Sequence, residues 1–116
     1  MILIVGGIAS GKRTYVEQLG FDGGSVDEGV LGTAPVLVGL EELLREGPLS
    51  DDRFELLCAK EVVACIEVGS GVVPLDKGER EWRELVGRTV NRLSDRADRV
   101  VRMVCGIPVT LKGVHD

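Results

Sequence analysis

Aromatic residues are scarce in this chain: Phe, Trp and Tyr together make up 3% of its 116 residues. The core must therefore be built from Val, Leu, Ile and Ala, a composition that suits a parallel sheet covered by helices. The length predicts one domain over residues 1–116, which is large enough to bury a core without covalent staples.

Cysteine and histidine are few and widely spaced in this sequence. Cys58, Cys65 and Cys105 are the three cysteines, and the chain has one histidine. With this odd count and no Cys-x-x-Cys or Cys/His cluster, the sequence suggests neither a disulfide framework nor a zinc site. Free thiols fit a reducing compartment, and no apolar run is long enough for a signal peptide or a membrane span. We therefore expect a cytoplasmic protein without a membrane partner.

The chain also lacks an excess of basic residues. Its 14 Lys and Arg residues face 19 Asp and Glu residues, which gives a net charge of −5. This balance excludes the basic footprint that binds nucleic acid, so we expect no nucleic-acid partner. Glycine, in contrast, is abundant at 16 residues, and glycines allow tight turns and close approach of the backbone to a ligand.

Short apolar runs and glycine punctuation predict alternating strands and helices. Strands are predicted at 2–5, 35–38, 62–66 and 100–105, with an edge strand at 109–112 after a turn at 106–108. Helices are predicted at 11–19, at 39–46, after the cap residue Ser50, and after a capping box formed by Asp76 and Glu79. Residues 21–33 are predicted to be mostly loop. This order predicts an α/β fold with a mostly parallel sheet, whose loops after Val5, Val38, Ile66 and Cys105 meet at one edge.

The turn after the first strand carries a phosphate-loop pattern. Gly6, Gly11 and Lys12 match G-x-x-x-x-G-K-[ST], but Arg13 stands where the motif has Ser or Thr. Backbone N–H groups of such a loop wrap an anion, and the lysine bridges the terminal phosphates of ATP or GTP. The candidate nucleotide-binding residues are Gly6, Gly7, Ala9, Ser10, Gly11, Lys12, Arg13 and Thr14.

Two alternatives stay open for this loop. It can be a glycine turn that only joins a strand to a helix, and Arg13 can either contact a phosphate or lie exposed on the helix. The motif's hydroxyl normally enters the Mg²⁺ shell, and Thr14 cannot replace it because one residue turns the side chain by about 100° around a helix.

A second candidate, Glu67, follows the strand at 62–66. A carboxylate there can hold Mg²⁺ or accept a proton from a substrate hydroxyl, and the alternative is a solvated acid at a strand end. Glu67 and Lys12 are the candidate catalytic residues.

The second half of the chain resembles the bifunctional adenosylcobinamide kinase / adenosylcobinamide-phosphate guanylyltransferases of cobalamin biosynthesis. The resemblance covers residues 1–18 and 61–113. Its matching positions are Gly6-Gly7, Ser10, Gly11, Lys12, Glu67-Val68-Gly69, Gly71, Val73-Pro74, Gly87-Arg88, Gly106, Pro108 and Lys112.

The resemblance implies a three-layer, P-loop NTPase-like (RecA-like) sandwich of reduced size. It implies a transferase that uses ATP or GTP with Mg²⁺ to phosphorylate the aminopropanol hydroxyl of adenosylcobinamide. It also implies a corrinoid-facing loop at Gly69, Ser70 and Gly71, and a homo-oligomer with a trimer as the family's form.

The chain departs from the family pattern in three places. The segment 20–60 contains no histidine to carry the guanylyl group, Gly39 stands at the position of a strand-end acid, and Arg13 replaces the loop hydroxyl. Glu41 and Glu42 follow Gly39 out of register. The residues therefore favour a kinase without the guanylyl-transfer step. The alternatives are a catalytically degenerate P-loop module that binds or regulates, and a small-molecule kinase unrelated to corrinoids.

Overall fold

The structure, a computed structural model, describes residues 1–68 and 76–113. Within these ranges six strands form one sheet in the order β2-β3-β4-β1-β5-β6. All neighbouring strands are parallel except β5 and β6, which are antiparallel. The elements are β1 (Ile2–Gly6), α1 (Lys12–Gln18), β2 (Val26–Glu28), β3 (Val36–Val38), α2 (Leu40–Leu43), α3 (Asp51–Cys58), β4 (Val62–Ile66), α4 (Lys77–Arg96), β5 (Arg99–Val104) and β6 (Ile107–Lys112), with 3₁₀ turns at Gly23–Ser25 and Leu44–Glu46.

Hydrophobic cores lie on both faces of the sheet, because successive side chains of a strand point to opposite faces. Leu3 of β1 packs in one core with residues of α2, α3 and α4, whereas Ile4 packs in the other core with Tyr15 and Val16 of α1. The sheet is therefore the middle of three layers, as expected for an α/β fold. In residues 1–68 and 76–113, no helix combines the length and apolarity needed to cross a membrane.

The prediction that residues 21–33 are mostly loop holds for most of this segment, but it misses one strand. The segment forms the 3₁₀ turn and then β2, which pairs in parallel with β3 from Val26↔Val36 to Glu28↔Val38. A buried ammonium fixes this region, since Lys60 Nζ donates to the carbonyl of Gly32 at 2.7 Å. Its other partners are the Ala34 carbonyl and, at 3.5 Å, the Asp27 carboxylate. Periodicity could not reveal this strand because three residues are too few to show an alternation.

Two local predictions need correction. The turn before the last strand is Cys105–Gly106 rather than 106–108, because φ is +50° and +79° at these residues, as a two-residue type I′ hairpin requires. The capping box at α4 forms only in part. Asp76 Oδ1 accepts from the Gly78 N–H at 2.8 Å, but the Glu79 carboxylate is held by Arg45 at 2.8 and 3.2 Å instead of turning back to the helix start.

The other predicted elements are confirmed within a residue or two. Ser50 caps α3, since its Oγ accepts from the Arg53 N–H at 3.3 Å. The helix predicted at 39–46 is divided into α2 and the 3₁₀ turn Leu44–Glu46.

Candidate functional site

The loops that follow the parallel strands meet at one edge of the sheet, as predicted. Gly6, the last residue of β1, lies between Ile66 of β4 and Met103 of β5. The Glu67 N–H donates to the Gly6 carbonyl at 2.8 Å. The β5–β6 turn also contacts the β1–α1 loop, because the Gly106 N–H donates to the Ser10 carbonyl at 2.9 Å.

The loop between β1 and α1 needs its glycines for steric reasons. Gly11 has φ +97°, and a Cβ there would lie 3.0 Å from the Gly106 Cα. A Cβ on Gly6 would lie 2.9 Å from the Met103 carbonyl oxygen. Ala9 also has a positive φ, +58°, which is uncommon for a residue with a side chain. The loop is thus a tightly built turn held against the neighbouring strands.

Lys12 begins α1, and its side chain folds back over this loop. Its Nζ donates to the carbonyls of Gly7 at 2.6 Å and Gly6 at 3.0 Å, and it lies 3.4 Å from the Ser10 Oγ. Partial burial lowers the pKa of Lys12, and the nearby Glu41 carboxylate opposes that effect. The ammonium therefore lies over the turn, where it can meet an anion bound to the loop.

Arg13 and Thr14 both lie on the exposed side of α1. The Arg13 guanidinium donates to the carboxylate of Glu28, at the end of β2. Its side chain is 64% exposed, so the structure places Arg13 in a solvent-exposed ion pair. Such a pair keeps the positive charge at the rim of the cleft beside Lys12.

Glu67 lies beside the loop, with its carboxylate already paired. Its Oε2 accepts from Arg102 Nε at 3.1 Å, and the two side chains approach across β1. Its backbone bond to Gly6 fixes it at the loop edge. The predicted substrate loop Gly69, Ser70 and Gly71 falls outside the described residues.

Glu41, which does not align with the strand-end acid of the family pattern, lies in the cleft beside the loop. Glu41 lines a cleft of about 270 Å³ together with Lys12 and Gly39. Its Oε1 accepts from the Ile66 N–H at 3.0 Å, which draws the side chain to the end of β4. Gly39, with φ +75°, starts α2 in a left-handed conformation and directs the chain so that Glu41 turns back toward the sheet. The sequence signal that could have indicated Glu41 is a glycine directly after a strand, followed by acidic residues.

The fit of Mg²⁺ can be judged from these carboxylates. Mg²⁺ usually binds one or two protein carboxylates and takes its other ligands from phosphate oxygens and water. Residues 1–68 and 76–113 contain no group of three or more His, Cys, Asp or Glu side chains that could hold a metal ion alone. The anchored carboxylate of Glu41 lines the same cleft as Lys12, so it fits a Mg²⁺ ion that is also bound by nucleotide phosphates. Arg13, at the position of the motif's Ser or Thr, has no oxygen ligand to offer.

The sheet, the two covered faces and the glycine-rich turn with its lysine define an α/β protein whose fold is compatible with the P-loop class. The model of the family "Cobinamide kinase / cobinamide phosphate guanyltransferase" matches residues 52–111. The chain belongs to this family, as the resemblance predicted.

The chain is also similar to a curated relative. The chain is 38% identical over 69 residues to the bifunctional adenosylcobalamin biosynthesis protein CobU of Salmonella typhimurium. The aligned region covers 53% of this chain and 38% of the relative, so the chain spans well under half the relative's length.

The family match begins in α3 and ends in β6. It therefore includes Glu67 and Arg102, whereas Lys12 and Glu41 lie before it. The loop at 6–12 lies outside the matched residues.

Proposed function

We propose that this protein binds ATP or GTP at the β1–α1 loop and phosphorylates the aminopropanol hydroxyl of adenosylcobinamide. The observation that carries the proposal is the position of the Lys12 ammonium over the loop, 2.6 Å from the Gly7 carbonyl and 3.0 Å from the Gly6 carbonyl. The family and its relative in Salmonella support the corrinoid substrate. Guanylyl transfer is left out of the proposal because the segment 20–60 has no histidine to carry the group.

In this reaction the substrate hydroxyl oxygen attacks the terminal phosphorus, and the bond from that phosphorus to the bridging oxygen breaks. Lys12 and the loop amides stabilise the charge on the transferred group. Glu67 is the proposed base, and it accepts the hydroxyl proton as the phosphate ester and nucleoside diphosphate form. Arg102 orients the Glu67 carboxylate through the 3.1 Å hydrogen bond. A bound Mg²⁺ would neutralise part of the phosphate charge.

Isothermal titration with ATP and with GTP, with and without Mg²⁺, tests the binding step. We expect Lys12→Ala to weaken nucleotide binding by roughly tenfold or more, because a charge-assisted contact with phosphate is lost. Lys77→Ala is a matched control, since this lysine is exposed on α4 and pairs only loosely with Glu81 at 3.9 Å. A wild-type protein that gives no heat with either nucleotide would contradict the proposal.

A binding or regulatory module is the second candidate. The ion pairs Arg13–Glu28 and Arg102–Glu67 favour it, because they engage a guanidinium that could contact a phosphate and the carboxylate that could hold the metal or act as base. Incubation with adenosylcobinamide and ATP labelled in its terminal phosphate separates the two functions. Labelled product that Lys12→Ala abolishes supports the kinase, whereas nucleotide binding without product supports the module.

A further inference from the structure

The cleft beside the loop contains an acidic residue, Glu41, whose side chain and backbone are both held by hydrogen bonds. Glu41 Oε1 accepts from the Ile66 N–H at 3.0 Å, and the Glu41 carbonyl accepts from Trp82 Nε1 at 2.8 Å. The first bond ties the side chain to β4, and the second ties the backbone to α4. A side chain held in this way loses little further freedom when it binds a ligand.

The other oxygen of this carboxylate, Oε2, lies near the end of β3. A Cβ added to Gly39 would be 3.8 Å from Glu41 Oε2. The carboxylate therefore lies within van der Waals distance of the point where a side chain at position 39 would begin. The first turn of α2 thus brings an acid close to the strand end that itself carries Gly39.

The charges around the cleft distinguish Glu41 from its acidic neighbours. Glu28 is paired with Arg13, and Glu67 is paired with Arg102. Glu42 also lines the cleft, but its side chain is exposed at the rim. Among the cleft residues that the structure describes, Glu41 is the half-buried carboxylate with an anchored position and no ion pair within 4.0 Å.

We infer that Glu41 is the acidic residue on the metal side of the bound nucleotide, where it positions Mg²⁺ either directly or through a metal-bound water. The inference deepens the proposed function and rests on it. It assigns to Glu41 of α2 the metal-binding role that the family pattern gives to an acid at position 39, where this chain has glycine. Lys12, which lines the same cleft, holds the phosphates, so the nucleotide's charge is shared between the ammonium and the metal.

Glu41→Gln tests this inference, because glutamine keeps the acceptor for the Ile66 N–H and removes only the charge. Nucleotide affinity is measured by calorimetry in EDTA and in excess Mg²⁺, and metal binding is measured separately by electron paramagnetic resonance of Mn²⁺ added with the nucleotide. We expect Glu41→Gln to bind nucleotide in EDTA at least as tightly as wild type. The increase in nucleotide affinity that Mg²⁺ provides should be about tenfold smaller in this variant than in wild type, and Mn²⁺ should bind correspondingly more weakly.

Glu42→Gln is the matched control, since it removes the same charge from the next residue at the rim. It should keep the Mg²⁺-dependent gain and the Mn²⁺ signal. If Glu41→Gln retains the wild-type gain, or if wild type binds equally well with and without Mg²⁺, the inference is overturned while nucleotide binding stands. If wild type binds neither nucleotide, the proposed function fails and the inference fails with it.

Discussion

Gly11 illustrates how a single position controls the geometry of the candidate site. Its φ of +97° is unfavourable for any residue with a Cβ, and the Gly106 Cα leaves only 3.0 Å for that atom. The close approach joins the β1–α1 loop to the β5–β6 turn. Both turns therefore depend on the same pair of glycines, which come from opposite ends of the chain.

We predict that Gly11→Ala destabilises the protein by about 1–3 kcal/mol, the usual cost of a side chain forced into a strained backbone region. The free energy of unfolding is measured by urea denaturation. Gly7→Ala is the control in the same loop, because a Cβ there meets no atom within 4 Å. It should leave stability unchanged or raise it by up to about 1 kcal/mol. Equal losses in the two variants would contradict the steric account of Gly11.

Among the elements, β2 is held both by its pairing with β3 and by contacts of one remote side chain, Lys60. Lys60 follows α3, and its side chain is 7% exposed. It crosses to the segment after β2 and donates to the carbonyls of Gly32 and Ala34. The carboxylate of Asp27 in β2 also accepts from the Ala34 N–H at 3.0 Å. These bonds hold a three-residue strand in the sheet.

Lys60→Met should therefore loosen β2 and lower stability by about 2–3 kcal/mol, because it leaves partly buried hydrogen bonds to two carbonyls and a carboxylate without their donor. Hydrogen exchange should accelerate at the amides of Val26–Glu28 much more than in β1. Lys77→Met, at an exposed site, is the control and should change neither quantity. Unchanged exchange in β2 would show that the strand does not need the ammonium.

Across the whole molecule, α4 joins the layer of helices to the site. Arg96 binds Glu55 of α3 at 2.8 and 2.9 Å, and Arg45 binds Glu79 of α4 at 2.8 and 3.2 Å. The Arg45 guanidinium also lies 3.5 Å from the centroid of the Trp82 ring. Because Trp82 donates to the Glu41 carbonyl, the packing of α4 and the position of the cleft carboxylate are linked.

The two ion pairs predict how stability depends on pH. Hydrogen bonds from Arg96 and Arg45 lower the pKa of Glu55 and of Glu79, respectively. A lowered folded-state pKa means that the stabilisation is present above the unfolded value, about 4.3 for Glu, and is lost as pH falls through the folded value. We expect the urea concentration at the unfolding midpoint to decrease as the pH is lowered below about 4. At low salt this decrease should be smaller in the double variant Glu55→Gln/Glu79→Gln. The same acid dependence in both proteins would contradict the assignment.

The sequence predicted the parts of the fold that repeat locally. The run at 62–66 is β4, Ser50 caps α3, and the strand–glycine loop–helix order places Lys12 at the start of α1. It did not predict β2, the partner of Glu79 or the position of Glu41. Each of these depends on a contact with a residue distant in the chain, which periodicity cannot report.

The amino-acid sequence by itself determined the family, the mostly parallel α/β class and the lysine-bearing loop, because motif spacing and apolar runs are local properties of a chain. The tertiary structure decided which charges meet. The bend at Gly39 brings Glu41 to the cleft, β2 brings Glu28 to Arg13, and β5 brings Arg102 to Glu67. Electrostatic partners are chosen by distance in space, and the crossovers of the sheet set that distance.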